Sequence, residues 1–208
     1  MVAAVLLPLV VLAASSAQQD FLDAVRASGD AERGAQLFGS CVACHGADAS
    51  GRADGTIPRL AGQHAQVIIR QLVDYRYDKR RDPRMEPVAH AQALRDAQAM
   101  ADVAAFAATL ALRAPAGTGD GAHLASGRGV YAARCAACHG DAGQGDADAA
   151  VPRLAGQHYA YLLRQFHDAL EGRRPALAGI HGPTLQDLDR AALQGMADML
   201  SRTSAGAK

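Results

Sequence analysis

Cys41-Val42-Ala43-Cys44-His45 recurs further along the chain as Cys135-Ala136-Ala137-Cys138-His139. Cys-x-x-Cys-His is the attachment signature of a c-type haem. Each thiol can add across one haem vinyl group, so two thioether bonds hold the cofactor. The histidine follows directly because its imidazole has to reach the iron from the helical turn that carries the second thioether. The chain contains four cysteines, and the two motifs use all of them. The pattern predicts two haem c groups attached through Cys41, Cys44, Cys135 and Cys138, with His45 and His139 as the proximal iron ligands.

Three other uses of paired cysteines fit less well. A structural zinc site needs four ligands, normally from a second Cys or His pair at short spacing. Neither half has such a pair. A thioredoxin-like dithiol sits in a βαβ setting, and no strand pattern precedes either motif. A plain disulfide framework gives no reason for a histidine after both pairs.

The surroundings of the two motifs match as well. Pro58-Arg59-Leu60-Ala61-Gly62-Gln63-His64 is repeated letter for letter at 152–158, with the same 94-residue offset as the cysteines. Between Cys41 and His64, 15 of 24 positions equal their counterparts, which marks an internal duplication. A Pro/Gly-rich stretch without apolar period, 113–121, reads as a linker between a first domain at 28–112 and a second at 122–203.

Abundant alanine and few β-branched runs favour an all-α chain. With 4% aromatic residues and no tryptophan, a shell of this size has a thin core by itself, and a bound haem supplies the missing apolar bulk. The formal net charge is zero, which gives no argument for a nucleic-acid partner. Residues 2–14 are apolar, and Ser15-Ser16-Ala17 offers a small-residue cleavage site, so 1–17 reads as a secretory signal peptide. No Lys or Arg precedes the apolar run. After a short amphipathic piece at 20–27, helices are predicted over about 31–40, 63–77, 95–111 and 189–202. Leu37, Phe38, Val67, Ile68, Leu72, Tyr75, Met100, Val103, Phe106 and Leu110 are the expected core contacts in the first domain.

The second axial position of each iron decides the chemistry. Met100 and its counterpart Met196 fall within periodic helix faces and read as core. Met85 lies in a loop beside Pro87, where a thioether can turn inward, and is the expected sixth ligand of the first haem. The second domain has no methionine between its long helix and its last one. When Met85-Glu86-Pro87 is aligned on His181-Gly182-Pro183, His181 stands where the methionine would. A His/His haem has a lower potential than a His/Met one, so electrons would fall from the second haem to the first. His64 and His158 begin helices and read as surface or haem-edge residues. The basic run Lys79-Arg80-Arg81 with Arg84 reads as a solvated loop, or as a dock for an acidic partner.

With both haem motifs, the tandem PRLAGQH segments and the Met85 loop, residues 28–202 resemble a dihaem cytochrome c of the cytochrome c4 type. The resemblance implies two tandem class I cytochrome c domains, each around one covalent haem. It also implies a periplasmic electron carrier, in some members membrane-associated, with redox proteins as donor and acceptor. Haem attachment in such bacterial proteins takes place outside the cytoplasmic membrane, in keeping with the signal peptide. The carbonyls of Pro58 and Pro152 would accept a hydrogen bond from the proximal histidines and orient their rings. Such proteins normally use methionine in both domains, and His181 departs from that pattern. The alternatives are a small dihaem enzyme, of the peroxidase or thiosulfate dehydrogenase kind, or the cytochrome subunit of a larger dehydrogenase or oxidase.

Overall fold

The computed structural model describes residues 16–112 and 115–204. Residues 1–15, which make up most of the expected signal peptide, lie outside the described residues. The described residues are helical, and they contain no strand beyond one bridge between Asp146 and Val151. The first half runs through α1 (Ser16–Arg26), α2 (Ala31–Phe38), α3 (Val42–His45), α4 (Ala65–Arg76), α5 (Glu86–Ala89) and α6 (Ala97–Thr109). The second runs through α7 (Leu124–Arg134), α8 (Ala136–His139), α9 (Tyr159–Leu170), α10 (Pro175–Leu185) and α11 (Arg190–Arg202). The fold is therefore all-α, with two tandem cytochrome c-like domains. Among the described residues no helix is long and apolar enough to cross a membrane.

In each half two helices cross at a glycine, α2 on α6 and α7 on α11. A Cβ on Gly34 would lie 2.0 Å from the Asp102 carbonyl oxygen, and one on Gly127 would lie 2.0 Å from the Gly195 carbonyl carbon. Only a residue without a side chain permits such backbone contact. An aspartate on each of the later helices, α6 and α11, ties it to the chain that leads into the crossing. Asp102 accepts from the Asp30 N–H at 2.8 Å and from Arg33 Nε at 2.8 Å. Asp198 accepts from the N–H groups of Gly119 at 2.9 Å and Gly121 at 2.7 Å, and from Arg202 Nε at 2.7 Å. Side-chain caps fix where these helices start: Asp30 for α2, Asp96 for α6 and Asp189 for α11. Such a cap is worth about 1 kcal/mol.

Each half has its own apolar cluster. Phe38, Ile68, Leu72, Val73, Met100 and Val103 are buried in the first, and Tyr131, Leu162, Leu193, Met196 and Leu200 in the second. Met100 and Met196 are fully buried, as core residues. The segment before the first haem motif is more than a free turn or two. α1 buries Ala17, Phe21 and Ala24 in the first cluster, and Arg70 lies over the Phe21 ring at 3.4 Å.

A further difference lies in α10. Residues 175–185 carry no period that marks a helix, and the sequence predicts none there. The chain is helical from Pro175 to Leu185, with Pro at its start, where a missing N–H costs nothing. Only Leu185 of this helix is buried, and Ile180 is 69% exposed.

Candidate haem sites and the interface between them

The first motif is built by a helix that ends and immediately restarts. α2 stops at Phe38, the Cys41 N–H donates to the Phe38 carbonyl at 2.8 Å, and α3 carries the chain to His45. His45 is buried. Its Nδ1 lies 3.0 Å from the Pro58 carbonyl oxygen. A carbonyl only accepts, so Nδ1 carries the proton and Nε2 keeps its lone pair free. Burial pushes the His45 pKa down, the Pro58 bond opposes this and Arg84 adds to it, a shift toward the neutral ring that a metal ligand needs. The second motif repeats this geometry. His139 Nδ1 lies 3.1 Å from the Pro152 carbonyl oxygen, and burial again lowers the pKa. In each loop a left-handed glycine makes the approach possible. A Cβ on Gly51 would lie 2.5 Å from the Pro58 carbonyl oxygen, and one on Gly145 would lie 2.6 Å from the Pro152 carbonyl carbon.

The four cysteine thiols are free of disulfides, and Cys44 and Cys138 are exposed, as attachment to a cofactor needs. Burial raises the thiols of Cys41 and Cys135.

In the first half, Met85 takes the N-cap position of the short helix α5 and packs against the cluster that Cys41 also touches. Arg84, its neighbour, donates to the Thr56 carbonyl at 3.1 Å, tying this segment to the loop that leads from His45 to Pro58. In the second site the His181 ring stands 6.0 Å from the His139 ring, centre to centre, tilted by 53°. Its buried Nδ1 makes no hydrogen bond of good geometry among the described residues, although the Leu177 backbone opposes the fall in its pKa. Burial lowers the His181 pKa, with His139 and Arg174 adding to the effect. Two imidazoles on opposite sides of one metal, each at a bond length of about 2.0 Å, have ring centres about 6 Å apart. The residues present fit the group.

The PRLAGQH segments do more than the sequence shows. Gln157 Oε1 accepts from the Arg59 N–H at 3.0 Å, and its Nε2 donates to the Arg59 carbonyl at 2.9 Å. Gln63 does the same to Arg153 of the other half, at 2.9 Å and 2.9 Å. His158 lies 2.7 Å from the Ser50 carbonyl oxygen through Nε2 and accepts from the Gly117 N–H through Nδ1 at 3.1 Å. His64 Nε2 lies 2.8 Å from the Gln144 carbonyl oxygen. These pairs are related by the 94-residue offset, so the two halves face each other across a pseudo-twofold axis. His158, expected at the surface or the haem edge, is instead 2% exposed inside this interface.

The basic run after α4 also differs from expectation. Arg80 is buried rather than solvated. Arg80 and its counterpart Arg174 both donate to Gln71 Oε1, each at 2.7 Å, and to Gln165 Oε1, each at 2.9 Å. Arg80 also donates to the Tyr161 hydroxyl at 2.7 Å. Burial, and then the Arg80 charge, press the Arg174 pKa down to about 10. The signal for this cluster was present in the repeat, since Gln71/Gln165 and Arg80/Arg174 share its offset, but nothing local marks them as partners.

A cytochrome c family model matches residues 31–111 and 124–198. The chain belongs to the cytochrome c family, as a dihaem protein of the cytochrome c4 type. It is 34% identical over 156 residues to the cytochrome c4 of Pseudomonas aeruginosa, covering 71% of this chain and 75% of that one. It is 40% identical over 147 residues to the thiosulfate dehydrogenase electron acceptor of Stutzerimonas stutzeri, a match that spans 65% of each chain and so less than two thirds of that relative's length. The fold superposes on the crystal structure of reduced recombinant cytochrome c4 from Pseudomonas stutzeri with a TM-score of 0.74 at 26% identity, covering 85% of this chain and 100% of the other. The protein is thus an electron-transfer cytochrome with two covalently attached haem c groups.

Proposed function

We propose that this dihaem cytochrome is a periplasmic carrier with two unequal haems that passes electrons singly between redox proteins and transforms no substrate itself. Each haem supplies one-electron Fe(III)/Fe(II) exchange. Cys41, Cys44, Cys135 and Cys138 hold the two groups covalently, His45 and His139 ligate their irons, and the Pro58 and Pro152 carbonyls orient those rings. Met85 completes the first iron and His181 the second. The observation that carries the asymmetry is the 6.0 Å facing of His181 and His139. A second imidazole in place of a thioether lowers the potential, so electrons run from the second haem to the first. Arg80, which is buried, and Arg174, which is half-buried, sit between the halves bonded to the neutral side chains of Gln71 and Gln165, and are suited to take the haem carboxylates.

Potentiometric titration of the wild type and of His181→Ala tests this reading. Two separated steps are expected, with the lower one moved by the substitution. Two nearly equal steps that ignore it would refute the His/His site.

The likeness to a thiosulfate dehydrogenase electron acceptor favours one donor in particular, an enzyme that oxidises an inorganic sulfur anion. Rapid reduction of the oxidised protein by thiosulfate when that dehydrogenase is added, and none without it, is the expected result. The same slow rate with and without the enzyme would exclude this donor.

A further inference from the structure

Gln157 and Gln63 are placed to do more than join the two halves. The carbonyl of Pro58 and the N–H of Arg59 belong to one peptide unit. That carbonyl oxygen lies 3.0 Å from His45 Nδ1, and that N–H donates to Gln157 Oε1 at 3.0 Å. In the other half the Pro152 carbonyl lies 3.1 Å from His139 Nδ1, while the Arg153 N–H of the same peptide unit donates to Gln63 Oε1 at 2.9 Å. The amide that holds each proximal histidine is therefore hydrogen-bonded, on its nitrogen side, by a glutamine of the opposite domain.

An amide whose N–H is engaged carries more negative charge on its oxygen, because hydrogen bonds in series polarise one another. A stronger acceptor at Nδ1 makes the imidazole a more electron-rich ligand. A more electron-rich ligand favours the oxidised iron and lowers its potential. Gln157 is 8% exposed and Gln63 is half-buried, so bulk solvent screens the effect less at Gln157 than at Gln63.

We propose that Gln157 tunes the first haem and Gln63 the second, so that each domain sets part of the other's potential through a shared peptide bond. They are positioning residues, acting through the peptide and not on the iron. The proposal rests on His45 and His139 being the proximal ligands.

The test is a potentiometric titration of the full dihaem protein carrying Gln157→Met or Gln63→Met, near-isosteric changes that remove the amide. Each redox step is assigned to its haem by the hyperfine-shifted proton resonances. Gln157→Met is expected to raise the potential of the first haem alone, by up to a tenfold change in its redox equilibrium, about 59 mV for one electron. Gln63→Met is expected to raise that of the second haem alone. His64→Ala serves as the control, because it removes an interdomain hydrogen bond without touching either peptide unit.

Potentials that stay put, or shift in the substituted domain itself, would overturn the proposal. So would an equal rise of both potentials reproduced by His64→Ala, which is what a merely loosened interface gives. The same spectra separate this from failure of the ligand reading. Strongly shifted His45 and His139 ring protons with unmoved potentials refute the relay alone, whereas unshifted rings refute the ligand assignment beneath it.

Discussion

In the first domain the distal segment is charged and anchored. Arg84 is bonded to Asp82 and to Thr56, Arg76 donates to the Ala89 and Leu94 carbonyls, and Ala89 and Leu94 are buried. In the second domain the corresponding segment is α10, which carries no charged side chain, buries only Leu185 and leaves Ile180 bare. The proximal sides of the two sites are nearly superimposable in their hydrogen bonds. The two halves share what a short peptide geometry dictates, Cys-x-x-Cys-His and the proline carbonyl. They part in the segments that carry Met85 and His181, which can change length and polarity without disturbing the attachment.

The largest effect should come from the distal ligands. Met85→Ala is expected to lower the first haem's potential sharply and to open it to carbon monoxide, while the second haem stays as it was. An unchanged potential and no carbon monoxide spectrum would remove Met85 from the site and with it the contrast between the halves. Next come the cores. Phe38→Ala empties a fully buried site and is expected to cost about 3–5 kcal/mol in denaturant unfolding. Leu185→Ala is expected to release α10, so that the second haem's ligand-field spectrum changes while the first haem's does not.

A smaller effect, equal in both halves, concerns acid stability. Burial alone would raise the carboxyl pKa of Asp102 and of Asp198, but their hydrogen bonds, led by Arg33 and Arg202, outweigh it and hold both below the ordinary 3.8. A depressed folded pKa stabilises the fold above 3.8, and that contribution is lost as pH falls through the folded value. Asp102→Asn or Asp198→Asn should therefore cost about 1–3 kcal/mol at neutral pH and flatten the loss of stability on acidification. An unchanged acid limb would show that these carboxylates are not the groups that titrate. The smallest effect belongs to Ile180→Ser on the bare face of α10, expected to stay within about 0.5 kcal/mol. A larger loss would mean that α10 is as firmly held as its counterpart.

Much of the protein was legible in the residues. The haem motifs, the duplication, the helical class and the neutral core methionines Met100 and Met196 all follow from short-range spacing and periodicity. α10 was not legible, because its Gly- and Pro-containing apolar sequence carries no amphipathic period and its helix is held mainly at one end. α1 was read only as a short amphipathic piece at 20–27, because the surface that covers Phe21 comes from Arg70 and the core around it, far along the chain.

The sequence alone determined the chemistry of attachment and the repeat, since Cys-x-x-Cys-His acts within about one helical turn of itself and PRLAGQH recurs letter for letter. Only the tertiary structure decided how the halves meet. Gln157 reaches Arg59, Gln63 reaches Arg153, His158 reaches Ser50, and Arg80 shares its acceptors with Arg174. The partners that meet across the halves stand 85 to 108 residues apart. Their pairing depends on shape and on the need of buried polar groups for partners, and no local pattern in a chain records which distant group will satisfy that need.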